Sequence, residues 1–206
     1  MTPRRSATRG RRPSSAAKRL QLLIFTEGEK TEPLYLMHWY RLYRARVIVT
    51  VDDFHGAPLQ LVQKAANQQK LDRREAARGR GDAFNEYWCV FDRDQHPKLP
   101  DAMQLAAARG IMVAFSNPCI ELWFLLHFTD QRAELDTRTA QRCAERHLGV
   151  RKQLTPSALD QLVARHDQAR DRAQALDRKH SGDGSPAHSN PSSDVWRLVD
   201  KIQTPD

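Results

Sequence analysis

The sequence predicts an α/β fold: a mainly parallel sheet with helices on both faces, followed by a helical C-terminal portion. Three observations carry this. Four short apolar runs of buried-strand type occur at residues 20–25, 47–51, 86–91 and 111–115. A segment with helical spacing or composition follows each run, so the order reads β-α-β-α-β-α-β-α, the alternation of a parallel sheet. After Thr129 the chain becomes polar and mainly helical.

The first strand, Leu20 to Phe25, stops at Thr26-Glu27-Gly28-Glu29-Lys30-Thr31-Glu32-Pro33, where Gly28 permits a tight turn. Thr31 or Glu32 with Pro33 reads as a helix start, and the apolar face of that helix runs to about Arg46. Val47 to Val51 is β-branched nearly throughout and is the second strand. A loop over 52–58 leads to a helix from about Leu59 to Arg78. The third strand, Glu86 to Phe91, ends at Asp92-Arg93-Asp94. An alanine-rich helix, Leu99 to Arg109, is capped by Gly110. The fourth strand is Ile111 to Phe115. Ser116-Asn117-Pro118 stops it and starts a helix over Cys119–Phe128, apolar nearly all round and expected to be buried. Helices are then expected over Thr137–Leu148 and Pro156–His180. A loop from Ser181 to Ser193 precedes a last amphipathic helix that begins at Val195. The expected organisation is a disordered basic tail over 1–19, an α/β core over 20–130 and a helical extension over 131–206 packed on it.

The formal charge of the 206 residues is +8, unevenly placed. Arg4, Arg5, Arg9, Arg11, Arg12, Lys18 and Arg19 put +7 in the first nineteen residues, which leaves the remainder near +1. The basicity therefore belongs to a tail and is a weak argument for a nucleic-acid-binding folded surface. Three cysteines, far apart and with no CxxC pair, suggest neither a disulfide framework nor a thiolate zinc site. A reducing cytoplasm fits them. No apolar run reaches the roughly 18 residues of a membrane span, and the tail lacks the apolar core of a secretory signal. The expected protein is cytoplasmic and makes no membrane contact.

The chemistry is expected where the strands end. In extended backbone, residues i and i+2 share a side, so Asp92 and Asp94 converge while Arg93 faces away. Two such carboxylates repel, and a hard divalent cation removes that cost; an acidic turn is the plainer alternative. Ligands of open parallel sheets bind beyond the carboxyl ends of the strands, where Glu27 also stands. Were the first and third strands neighbours, Glu27, Asp92 and Asp94 would form a metal site for Mg²⁺ or Mn²⁺ and a phosphoryl group. Glu121, an acid in an apolar helix, either supports that cluster or pairs with an Arg or helix-capping groups. Lys30 is a candidate phosphate contact, with plain solvation as its alternative. His96 follows the carboxylates closely and is a candidate substrate contact, with a surface histidine the favoured reading; His127 is read as a core histidine rather than a ligand. No Walker A, GxGxxG or GxSxG motif is present.

Four pieces together resemble the RloB family: residues 24–33, Phe91-Asp92-Arg93-Asp94-Gln95-His96, Ser116-Asn117-Pro118-Cys119-Ile120-Glu121-Leu122-Trp123 and Asn190-Pro191-Ser192-Ser193. The resemblance covers about residues 20–203. That family occurs in bacterial restriction and abortive-infection loci, commonly beside an ABC/SMC-like ATPase, RloA. It resembles in turn the Toprim domain of topoisomerases, primases and overcoming-lysogeny-defect nucleases. Glu27-Gly28 and Asp92-Arg93-Asp94 match the Toprim pattern of a strand ending in Glu-Gly and a later one ending in Asp-x-Asp. The resemblance implies a Toprim-like Rossmannoid core and a Mg²⁺-dependent site, with Glu27 as acid/base or ligand and the two aspartates as ligands. Some Toprim enzymes carry an Asp a few residues past the turn. This chain has Thr31-Glu32, so the further carboxylate is Glu32, Glu29 or Glu121.

The function this implies is a phage-defence effector: a metal-dependent nuclease cleaving RNA, with tRNA among the candidates, or DNA, alongside the ATPase. The alternative is a non-catalytic Toprim-like regulatory subunit of that ATPase. A topoisomerase or primase is disfavoured by length and by the lack of a defensible DNA-linking tyrosine. The polar helices after Thr129 are candidates for partner contact or homo-oligomer formation, with plain packing the equal alternative.

Overall fold

The computed structural model describes residues 19–93, 96–150 and 153–204. The first half runs β1 (Leu20–Thr26), α1 (Thr31–Tyr43), β2 (Val47–Val51), α2 (Pro58–Ala77), β3 (Glu86–Asp92) and α3 (Leu99–Arg109). The second runs β4 (Met112–Asn117), α4 (Ile120–Leu126), α5 (Thr137–Leu148), α6 (Pro156–Ala164), α7 (His166–Gly182), β5 (Ser192–Ser193) and α8 (Val195–Gln203). The strands form one sheet in the order β2-β1-β3-β4-β5, parallel except for β5.

The order places β2 and β3 on opposite sides of β1, so the winding reverses between β1 and β3. Open α/β sheets form their ligand crevice at that reversal, beyond the strands' carboxyl ends. Strand alternation divides the core in two. Leu22, Ile24, Trp88, Val90 and Ala114 join α1, α4 and the later helices in one apolar cluster. Leu23, Phe25, Tyr87, Cys89, Phe91 and Phe115 join α2 and α3 in the other. Continuing the alternation of β3 by one step puts Asp92 on the α1/α4 face.

The caps follow from sequence. Gln60 accepts from the Ala57 N–H at 3.1 Å ahead of Pro58. Asp136 accepts from the Thr139 N–H at 2.7 Å, and Thr155 from the Ala158 N–H at 3.2 Å. Gly110 and Gly149 close α3 and α5 at φ of 63° and 68°.

Three expectations change. β4 runs on to Asn117 and α4 begins only at Ile120, because Pro118 biases the residue before it toward extended backbone. The single helix expected over 156–180 divides at Arg165. The break seats buried His166 against Trp39 and Trp123, with its Nε2 2.9 Å from Asp200. Ser192–Ser193, expected as loop, pairs antiparallel with Ser116 and Asn117. The C-terminal part therefore contributes a strand to the sheet, and α8 packs on α1 and β4. Residues 1–18 of the basic tail lie outside the described residues. Among the described residues no helix is long and apolar enough to cross a membrane.

Candidate functional site

The turn after β1 is folded back on itself. Buried Thr26 donates from Oγ1 to the Gly28 carbonyl at 2.9 Å, and His55, from the loop after β2, lies 3.0 Å from the Thr26 carbonyl. The Glu27 N–H donates to the Val90 carbonyl at 3.0 Å, which keeps this first residue past β1 tied to β3. The Glu27 carboxylate then reaches across the crevice. Oε2 accepts from the Asp92 N–H at 3.2 Å, and Oε1 lies 2.8 Å from His96 Nε2, whose N–H donates to it.

Asp92 faces the first turns of α1 and α4, as the alternation requires. Burial raises its carboxyl well above the usual range, and repulsion from Glu32, then Glu121 and Glu27, adds to the rise; a hydrogen bond from the Ile120 backbone opposes it. Glu32, in the first turn of α1, is 7% exposed. Its carboxyl is also raised, first by burial and then by Glu121 and Glu27, against hydrogen bonds from its own backbone and from Gly28. Among the described residues, no Lys or Arg pairs with Glu32, Asp92 or Glu121.

Gly28 has a second role besides the turn. Its N–H donates to Glu32 Oε1 at 3.2 Å, and a Cβ at this position would overlap the Glu32 carboxylate. Glycine lets the backbone and that carboxylate approach. On the far side, Glu121 is the one residue of α4 that is not fully buried. Cys119 precedes it, and burial together with Glu121 and Asp92 pushes the Cys119 thiol up.

The fold brings Glu27, Asp92, Glu121 and Glu32 close enough to act on one another's charge. Glu29 is exposed. Asp94 lies outside the described residues. Lys30 is exposed at the start of α1 and lines a small cleft with Leu34, Gln153 and Leu154. His127 is a core histidine: its Nδ1 donates to the Trp123 carbonyl at 2.8 Å, and burial holds its pKa down to about 3. His96 and His55 join the site only in the structure: His96 carries a sequence signal in its place just after the carboxylates, and His55 carries none beyond lying in a loop after a strand.

The donor set is all oxygen and acidic and, among the described residues, short of compensating cations, which fits a hard divalent ion in kind. Among the described residues no three His, Cys, Asp or Glu side chains stand as a ready metal cage. Two of the carboxylates are turned to internal partners, Glu27 to His96 and the Asp92 N–H, and Glu32 to the Gly28 N–H.

A family model described as RloB-like protein matches residues 22–202. No curated protein and no solved structure matches the chain.

Proposed function

Since the chain belongs to the RloB-like family, we propose that it is a metal-dependent nuclease with a Toprim-like core. It cleaves phosphodiester bonds in RNA or DNA as the effector of a phage-defence pair with an ABC/SMC-like ATPase. The observation that supports this most is the gathering of Glu27, Glu32, Asp92 and Glu121 from the turn after β1, α1, β3 and α4. They meet at the reversal point of the sheet, where Asp92 and Glu32 have raised carboxyls and, among the described residues, no Lys or Arg partner.

Asp92, Glu32, Glu121 and Asp94 are the residues to hold Mg²⁺ or Mn²⁺, with Glu27 beside them. When bound, the ion supplies charge stabilisation on the attacked phosphate and a water of lowered pKa. The chain's own work is electrostatic and positional. Four carboxylates repel a bare phosphate, so the substrate is admitted only with the cation. The Asp92 N–H and His96 aim the Glu27 carboxylate, which suits Glu27 to orient or deprotonate a water. Outside the first nineteen residues the charge is near +1, which suits a protein brought to its substrate by a partner rather than by phosphate contacts of its own.

The test is cleavage of mixed tRNA and of plasmid DNA by the purified protein with Mg²⁺, with and without the ATPase. Wild type is compared with Glu27→Gln and Asp92→Asn. Metal-dependent cleavage lost in both variants supports the reading. The regulatory-subunit reading draws on one observation, that both Glu27 oxygens already have partners within the protein. It takes precedence if both variants fold, bind the ATPase and preserve defence in cells.

A further inference from the structure

Asp92 and Arg93 are neighbours that project to opposite faces of the sheet. The Arg93 N–H is held by the Ser116 carbonyl at 2.8 Å, and its side chain enters a cleft that the carboxylates do not share. The cleft, about 550 Å³, is lined by Arg93, Pro100, Met103, Asn117, Glu134 and His188 among others. That volume lies within the roughly 300–1,000 Å³ of small-ligand sites.

The wall at His188 is built rather than incidental. His188 is the one non-glycine residue with positive φ among the described residues, at 63°. Such backbone persists only where its surroundings over-determine it. Here the His188 carbonyl accepts from Asn117 Nδ2 at 2.8 Å, Nδ1 lies 3.1 Å from Asp194, and the ring packs edge-on to Phe115 at 5.2 Å. The result is a fixed aromatic ring in a cleft that also holds a guanidinium, an amide, a carboxylate and the apolar surfaces of Pro100 and Met103. A nucleotide needs that combination: rings or apolar walls for the base, a cation for the phosphate, polar groups for the base edge.

We propose that this cleft seats the nucleotide flanking the scissile phosphate of a single-stranded segment. Its base lies against His188, Pro100 and Met103, and its phosphate lies on Arg93. Glu134 accepts from an exocyclic amino group, which favours adenine, cytosine or guanine over uracil or thymine. The proposal rests on the nuclease reading for the position of the scissile phosphate. The cleft's affinity for a nucleotide is independent of it.

The experiment uses the full chain carrying Asp92→Asn and a fluorescein-labelled ten-nucleotide single strand, with affinity read by anisotropy. Arg93→Ala and the cleft-filling Met103→Trp are each expected to weaken binding at least tenfold. Pro186→Trp, in the exposed loop that also lines the cleft, is a second filler should Met103→Trp fail to fold. Affinity unchanged in the folded fillers, or no binding by any form, overturns the proposal. Separately, if the parent without Asp92→Asn binds and responds to the fillers yet does not cut, the nuclease reading fails and the cleft stands. If it cuts and the fillers neither bind nor cut less well, the cleft proposal fails and the nuclease stands.

Discussion

The Asp92 backbone N–H donates to the Glu27 carboxylate at 3.2 Å, joining residues 65 apart across the gap between β3 and β1. The carboxylate of one strand end is thereby oriented by the backbone of the other, and Asp92's own carboxyl is left to face Glu32 and Glu121. The two halves of the site depend on each other's geometry, and several expectations follow from that.

Asp92→Asn removes a charge that the fold raises in pKa by burial and by repulsion from Glu32. Cleavage should fall at least about 100-fold, since even an outer-sphere partner of a metal site is worth 10–100-fold. The same change should raise the melting temperature of the metal-free protein at neutral pH. A carboxyl raised above its ordinary 3.8 contributes stability below about pH 4 and loses it as pH rises through the raised value. A melting temperature that falls in this variant, measured by calorimetry with chelator present, would show the charge to be compensated.

His96→Ala leaves the Glu27 Oε1 without its 2.8 Å partner. Metal affinity or turnover should drop about 10–100-fold, with the fold intact by circular dichroism. His96→Gln, which keeps a side-chain donor, should recover part of the loss. An alanine variant as active as wild type would assign the histidine to the surface.

Gly28→Ala puts a methyl where the Glu32 carboxylate sits. It should cost activity by displacing Glu32, and the loss should vanish in the background of Glu32→Ala, because the three atoms nearest that methyl all belong to the Glu32 carboxyl group. Turnover of the two single variants and the double variant checks this; additive losses would mean that the turn itself, not Glu32, is disturbed.

His127 is fully buried with its pKa lowered from 6.5 to about 3. A depressed histidine contributes stability above about pH 6.5 that is lost as pH falls toward 3, at about 1.4 kcal/mol per pH unit. The melting temperature of His127→Gln should decline less steeply than that of wild type over this window. Parallel profiles would locate acid unfolding in other groups.

Trp123 Nε1 donates to the Tyr35 hydroxyl at 2.8 Å between α4 and α1, the helices that carry Glu121 and Glu32. Tyr35→Phe strands a buried N–H and should cost about 1–3 kcal/mol, or about 2–4 °C per kcal/mol at this size. Calorimetry reads the shift directly, and an unchanged midpoint would mean the indole finds another acceptor.

The sequence by itself determined the four parallel strands, their alternation with helices, and the places of Glu27 and Asp92 at strand ends; that the two meet follows from β1 and β3 being neighbours, which the packed sheet decided. Strand ends are local features, and in a parallel sheet they all open on one side. It also indicated Glu121, because an acid within Ile120-Glu121-Leu122-Trp123-Phe124 has few places to go. Only the tertiary structure put Glu32 beside Asp92 and left Glu29 out. The angle at which α1 leaves the turn buries Glu32 over the Gly28 N–H and leaves Glu29 exposed, and no local pattern encodes that angle. The same holds for the two partners of Glu27, for the strand at Ser192–Ser193 and for the division at Arg165. Each depends on a contact between segments distant in the chain, such as Ser193 with Ser116 or His166 with Asp200. Apolar periodicity records which face of an element is buried. The segment that covers that face is settled only when the whole chain packs.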